Sequence, residues 1–355
     1  MNKRINYIDN LRSITVSLLI VFHLAIAYNS WGEANYIFFQ RVNLIAFVVV
    51  FINPWFMPLM FLLAGVSSAY SLKKRGYTCF LKERLLRLGI PLVFGILFLN
   101  PILSFIADKT HNGYEGNYLK HYKIYFTEFT DLTGYDGGFT LGHLWFIAVL
   151  ILISFVSCGI IKIIDNLSQN KKKTVYLWLN VILIVGAVAT FDIRIFGKPL
   201  ITFFCVYLLG YYLFSNQNWA EKLAKFKWIF VIIFLAASVT NSVLYIYVEN
   251  MKALNTVCCY LSFAVGLPAL FCLGHDYLDY SNNVSRYASK LSYVFYIIHF
   301  PIVILCQYFL SLTDVNYIVN FFLSLLISYP LTCVFCFLID KSTYAGVLFG
   351  LKSKK

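Results

Sequence analysis

The sequence predicts an all-α integral membrane protein of about ten transmembrane helices, with both the N-terminus and the C-terminus cytoplasmic. Three observations carry that prediction. Of the 355 residues, 60% are hydrophobic and only 13% are charged, where a soluble domain has roughly half and a quarter. The mean hydropathy is accordingly high, at +0.73. Apolar runs near the roughly 20 residues that a bilayer requires recur along the whole chain. Basic residues gather in alternate connections, the asymmetry that sets orientation in polytopic proteins.

Taken in order, the expected spans are 12–29, 44–70, 88–107, 143–164, 174–191, 199–215, 228–248, 253–274, 290–310 and 316–339. The first follows the basic lead "MNKR". It lacks a small-residue cleavage site and is long enough to span, so it reads as a retained helix. With the N-terminus inside, only Arg41, Lys109, Lys120, Lys123, Arg194, Lys198 and Lys252 of the 29 basic residues fall outside. The inner side includes Lys3, Arg4, Lys171, Lys172, Lys173, Lys354 and Lys355. The net charge of +13 thus reads as topology in a lipid bilayer, and no nucleic-acid partner is expected. The longest loop, about 108–142, lies outside and holds Asp108, Glu115, Glu128, Asp131, Asp136 and "YDGGFTLGH". A substrate lid and a solvated connector both fit it. No repeat or composition break divides the chain, so residues 1–355 read as a single membrane domain without a soluble extracytoplasmic one. The nine cysteines are scattered in apolar runs and read as small hydrophobes. Cys333 and Cys336 form a lone C-x-x-C, too little for a metal site, and no metal is expected.

The polar residues inside apolar runs carry the chemistry. In "YIDNLRSITVSLLIVFHLAIAY", Arg12 and His23 are eleven positions apart, roughly 20° beyond three helical turns, so they share one face about 16 Å apart. Ionisable groups in a membrane are costly and face a bundle interior or a wet cavity. A neutral histidine can take the proton of a hydroxyl as its oxygen attacks an acyl carbonyl, and arginine can hold phosphate. The structural alternatives are a histidine bonded to a neighbouring helix and a snorkelling arginine. In "FLKERLLRLGIP", Arg84 and Arg87 are three residues apart, a same-face spacing in an α-helix. With Lys82 they form either a phosphate pocket or a positive-inside anchor. His143 and Trp145, in "GHLWFIAVL", suit either an acceptor contact or an interfacial anchor. His299 lies in "LSYVFYIIHFPIVIL", where Pro301 frees backbone groups that His299 is placed to satisfy.

On these residues the sequence resembles the acyltransferase-3 family of polytopic membrane acyltransferases. The Arg12 to His23 spacing after "YIDNLR", the "FMPLMFLLAGVSSAYSLKKR" run, "RLLR" followed by "LGIP", "VYLLGYYLF", "HLWFI" and "SYVFYIIHFPIVI" match its ordered signatures over nearly the whole chain. The branch it looks most like is the glucan-modifying and O-acetyltransferase one. Ala64 before Gly65 departs from the serine more frequent there. The resemblance implies O-acyl transfer in the cell membrane. The acyl group, acetyl most often and sometimes succinyl, would pass from cytosolic acyl-CoA as co-substrate to a hydroxyl of an extracytoplasmic glycan. It implies His23 as essential base or acyl carrier, and Arg12, Arg84 and Arg87 as donor-binding residues. The acceptor sugar would then enter beside His143 and Trp145, whose aromatic faces suit it, with His299 reaching His23 or the acceptor. Two rivals remain at this stage. A transporter or flippase of lipid-linked or small sugars also uses intramembrane histidines, but acyl-CoA binding separates it. A haem protein with His23 and His299 as axial ligands would show a Soret band.

Overall fold

The computed structural model describes residues 5–248 and 250–352, the side chains of 169–174 and 177 excepted. Lys3, Arg4, Lys354 and Lys355, and the side chains of Lys171, Lys172 and Lys173, therefore lie outside the described residues. The fold is all-α. Its helices are α1 (Asn6–Ile26), α2 (Asn43–Arg75), α3 (Tyr77–Arg84), α4 (Ile90–Phe98), α5 (Asn100–His111), α6 (Tyr118–Thr127), α7 (Trp145–Asp165), α8 (Gln169–Ala189), α9 (Leu200–Leu209), α10 (Gln217–Ala224), α11 (Lys227–Tyr247), α12 (Lys252–Tyr277), α13 (Asn283–Ser311), α14 (Tyr317–Lys341) and α15 (Thr343–Leu348). The β pairing among the described residues is one isolated bridge, Ile195 with Lys198.

Among the described residues eight helical stretches are long and apolar enough to cross a membrane. A ninth counts if Leu200–Phe214 and Gln217–Ala224, bent by 95°, form one broken span. The expected span 174–191 falls on α8. The apolar stretch described there is Trp178–Ala189, and the side chains at 174 and 177 lie outside the described residues. Prolines 54, 58, 268, 301 and 330 all lie within continuous helices. Neighbouring groups in a membrane bundle satisfy the carbonyls that such prolines leave free.

Contacts cluster into two compact units. One gathers the chain up to Thr15 with Val50–Arg84 and Val149–Ser289; the other gathers Val16–Val49, Leu85–Ala148 and the chain from Lys290 onward. In the first unit, α11 and α12 form an antiparallel hairpin. Ser238 and Ser262 share a 2.6 Å hydrogen bond across it, and Asn255 donates to the Asn241 carbonyl at 2.9 Å. Gly65 of α2 and Gly210 of the π turn after α9 let their two backbones touch. A Cβ on Gly65 would lie 1.9 Å from the Tyr207 carbonyl oxygen, and one on Gly210 would lie 2.2 Å from that of Leu62.

In the second unit, the segment after α1 folds back into the core. Tyr36 and Ile37 are buried with Leu103, Ile106, Phe300 and Ile304. The 108–142 stretch is neither extended nor loose. It contains α6, and its remainder is tied down from below. Asn100 and Tyr125 both donate to the Thr140 carbonyl, at 3.0 and 3.1 Å, and Ser104 donates to the carbonyls of Gly137 and Gly138.

Within this stretch, on α6, His121 is fully buried between the rings of Phe105 and Tyr114, at 5.5 and 5.2 Å. Its Nε2 lies 3.2 Å from Asp108 Oδ2, a close approach without hydrogen-bond alignment. Burial lowers the His121 pKa below the usual imidazole value, with Asp108 opposing the shift. The unfolded chain, titrating near 6.5, then takes up the proton that the fold resists, so stability falls as pH drops below about 6.5. The slope can reach about 1.4 kcal/mol per pH unit. Thermal unfolding in detergent between pH 7.5 and 5.5 is expected to show a fall in Tm that is smaller in His121→Phe. Parallel curves for the two proteins would refute the assignment.

Candidate active site

The second unit brings three histidines together. Pro301 has no N–H, so the carbonyl of Ile297, four residues earlier in α13, loses its helical donor. His143, set by the tight turn Gly142–Leu144 that leads into α7, places Nε2 at 2.8 Å from that oxygen. A carbonyl only accepts, so Nε2 carries the hydrogen and Nδ1 is left as a lone pair. That Nδ1 is buried and has no hydrogen-bond partner. The Tyr296 hydroxyl donates in return to the His143 carbonyl. The start of α7 and the middle of α13 are thus joined in both directions.

His299 is fully buried. Its Nδ1 lies 2.7 Å from the Tyr296 carbonyl oxygen and 3.1 Å from that of Phe295. By the same reasoning Nδ1–H donates and Nε2 holds a lone pair, again buried and without a partner. This corrects the expectation that His299 would satisfy the carbonyl released by Pro301. Helical side chains lean toward the N-terminus, so His299 reaches the turn before it and His143 takes the freed oxygen.

His23 enters from α1 and is partly exposed. Its ring centroid lies 5.4 Å from that of His299 and 4.0 Å from that of Phe300, tilted by 33°. His143 lies 5.2 Å from His299 and 5.3 Å from Phe300, both nearly edge-on. Phe300 therefore floors the cluster. Tyr36 meets Phe300 edge-on at 5.4 Å, and Tyr135 meets Tyr36 at 5.2 Å. The Tyr36 hydroxyl donates to the Thr133 carbonyl at 2.7 Å, and burial raises its pKa, so it stays a donor. Trp145 opens α7, half-buried, edge-on to Phe146. Sequence reading picked out the histidines and missed Phe300, Tyr296 and Tyr36; the adjacency of Phe300 to His299 in "IIHFPI" was the available signal.

The first unit brings two arginines to neighbouring serines of α2. Arg12 Nη2 lies 2.5 Å from Ser67 Oγ, and Arg12 also pairs with Asp9 at 3.3 Å, one turn away. Arg84 Nη2 donates to Ser68 Oγ at 2.7 Å, lying over the Phe80 ring at 5.1 Å. The Tyr207 hydroxyl donates to the same Ser68 oxygen at 2.7 Å. Ser68 is fully buried and donates onward to the Ala64 carbonyl at 2.7 Å. The hydroxyl pair in "GVSSAY" was the signal for these serines. Arg87 has a different partner. It sits in the π turn Leu85–Gly89, where the α-helical meaning of a three-residue spacing lapses, and its Nε lies 3.3 Å from the Gly350 carbonyl oxygen. Lys82 is exposed on α3. Among the described residues no three His, Cys, Asp or Glu side chains gather as a metal-binding set.

A family model describing an acyltransferase domain matches residues 5–341. The chain belongs to the acyltransferase-3 family. No curated protein and no solved structure matches it. As an acyltransferase-3 protein with eight or nine long apolar helices among its described residues, it is a multi-pass membrane acyltransferase. Within that family membership the histidine cluster holds groups able to move a proton, and the arginine–serine cluster holds groups able to meet an anion.

Proposed function

We propose that the protein transfers an acyl group, acetyl in the first instance, from cytosolic acyl-CoA to a hydroxyl of an extracytoplasmic glycan at the cell membrane. Both termini lie in the cytoplasm in this reading, which the distribution of basic residues supports. The single observation that carries it is the meeting of His23 with His299, and of His299 with His143, two histidines whose buried nitrogens can only accept hydrogen bonds. Such a place suits a neutral, donor-rich group, and a sugar hydroxyl is one.

His23 takes the hydroxyl proton while the oxygen attacks the thioester carbonyl. The C–O bond forms, the C–S bond breaks, and the proton passes to the departing thiolate. A transient acyl-histidine is the two-step form of the same exchange. His143 Nδ1 receives a neighbouring hydroxyl of the acceptor, and Trp145 offers a face to the sugar ring. Arg12, Arg84 and Arg87 meet the phosphates of the donor.

Mass spectrometry of surface glycans from expressing and non-expressing cells tests the reading. An alkali-labile acyl increment confined to expressing cells is expected. Unchanged glycans together with no acyl-CoA binding would leave a sugar transporter as the better account. On the donor side, Arg84→Gln is expected to raise KM for acyl-CoA about 10- to 100-fold, because a charged hydrogen bond contributes roughly 1.5–3 kcal/mol. Initial rates in membranes over a donor titration check this, and an unchanged KM would remove Arg84 from the donor site.

A further inference from the structure

We infer that His299 is the positioning residue for His23: its Nε2 lone pair receives the N–H of the His23 ring and so fixes which His23 nitrogen faces the acyl acceptor. The inference rests on the acyltransferase reading for its consequence, though not for its geometry. His299 cannot turn to offer another atom, because its Nδ1–H is held by the carbonyls of Tyr296 and Phe295 at 2.7 and 3.1 Å. Its only remaining polar atom is Nε2, a buried acceptor with no partner. Leaving such an atom unmet costs roughly 1–3 kcal/mol, so a fold that keeps one beside a reactive ring has a donor for it.

The His23 ring is the adjacent source of an N–H. Two imidazoles joined by one hydrogen bond of ordinary length, about 3 Å, place their centroids about 5 Å apart. The His23 and His299 centroids are 5.4 Å apart with planes tilted by 37°, so a small rotation of His23 completes the bond. Catalytic hydrogen bonds are often long before substrate arrives and tighten in the complex. Phe300, stacked at 4.0 Å on the His23 ring, limits the other directions in which that ring can swing.

The consequence is an ordered chain. Backbone carbonyls fix the hydrogen on His299 Nδ1. His299 Nε2 then fixes the hydrogen on one nitrogen of His23, so the lone pair that meets the acceptor hydroxyl is on the other nitrogen. When His23 takes the hydroxyl proton, the N–H pointing at His299 becomes part of an imidazolium and its hydrogen bond strengthens. A base oriented by a third group is the general requirement for an activated nucleophile, and here a neutral ring meets it without a carboxylate.

The test compares wild type, His299→Phe and His299→Gln, each full length, in detergent, at matched abundance and monodispersity. Phenylalanine keeps the ring and removes the acceptor, whereas glutamine keeps an oxygen acceptor. His299→Phe is expected to lower kcat about 10- to 100-fold, the effect of one hydrogen bond to a charged group, with KM for acyl-CoA within about twofold. His299→Gln is expected to recover most of that loss. A second readout needs no turnover. In ¹⁵N-histidine NMR, the His23 signal, identified by its absence in His23→Ala, is expected to report one tautomer in wild type and a mixture in His299→Phe. Full kcat in His299→Phe overturns the inference. So does equal loss in both variants with the single tautomer retained, which marks a packing role. A fixed tautomer that His299→Phe abolishes, in a wild type that transfers no acyl group, upholds the pairing and sinks the acyltransferase mechanism instead.

Discussion

Replacing His23 with alanine is expected to lower acyl transfer about 1,000-fold or more while leaving acyl-CoA binding and membrane abundance unchanged. Removing a positioned general base alone costs about 10² to 10⁴ in rate, and the loss is larger if His23 also carries the acyl group. Nothing else described in the cluster can take over. His143 and His299 each have one nitrogen held by a backbone carbonyl, and both are buried, whereas His23 is partly exposed. Transfer of labelled acyl groups from acyl-CoA to extracted glycan measures the effect. A His23→Ala protein retaining a tenth of wild-type transfer would exclude His23 as the base. Labelled enzyme trapped with wild type and absent with the variant would favour the acyl-histidine route.

The largest effect on stability is expected at Gly65 and Gly210. Each faces the backbone of the other's helix. A Cβ on Gly65 would lie 1.9 Å from the Tyr207 carbonyl oxygen and 3.1 Å from the Tyr211 nitrogen, and a Cβ on Gly210 would lie 2.2 Å from the Leu62 carbonyl oxygen and 3.1 Å from the Val66 nitrogen. Backbone atoms cannot swing aside as a side chain can, so the two helices must separate. Close approach through small residues is what holds helices together in lipid, where apolar burial no longer discriminates. Gly65→Ala and Gly210→Ala are each expected to lose roughly 3 kcal/mol or more, seen as a collapse of the monodisperse peak in detergent or a large fall in Tm. Gly159, in α7, serves as the control. A Cβ there meets nothing within 4 Å, so Gly159→Ala gains helix propensity and is expected to be neutral or slightly stabilising. Equal behaviour of the three variants would refute the close-packing account.

The helical class and most of the spans were legible because a bilayer demands long apolar runs, and α1, α2, α7 and α11 to α14 show them plainly. What the runs could not convey was interruption. The helix expected from residue 88 begins at Tyr77 and passes through a π turn at Leu85–Gly89, and the spacing of Arg84 and Arg87 did not reveal their different partners. The 108–142 stretch was legible as long and polar, but not that Tyr36, from an unrelated connection, would bury itself against the same core. At the site, the residue types were visible and their partners were not. An intramembrane histidine advertises itself by its cost. Which of His143 and His299 would meet the carbonyl freed by Pro301 depends on the lean of helical side chains and on a turn more than 150 residues away. The two glycines were unremarkable in an apolar run, since their role arises only when a second helix arrives.

On the proposed reading, the carbonyl that Pro301 frees and His143 meets would make one backbone gap serve as a chemical selector. A residue with an N–H at 301 would return the Ile297 carbonyl to its own helix and release His143 to exchange its hydrogen between nitrogens. The pocket would then present donor and acceptor by turns, and a phosphate or carboxylate would be received as readily as a hydroxyl. On the proposed reading, the polarity of the ligand would therefore be set two steps away from the site, at Pro301. A change of substrate class could begin at position 301 without altering any of the three histidines.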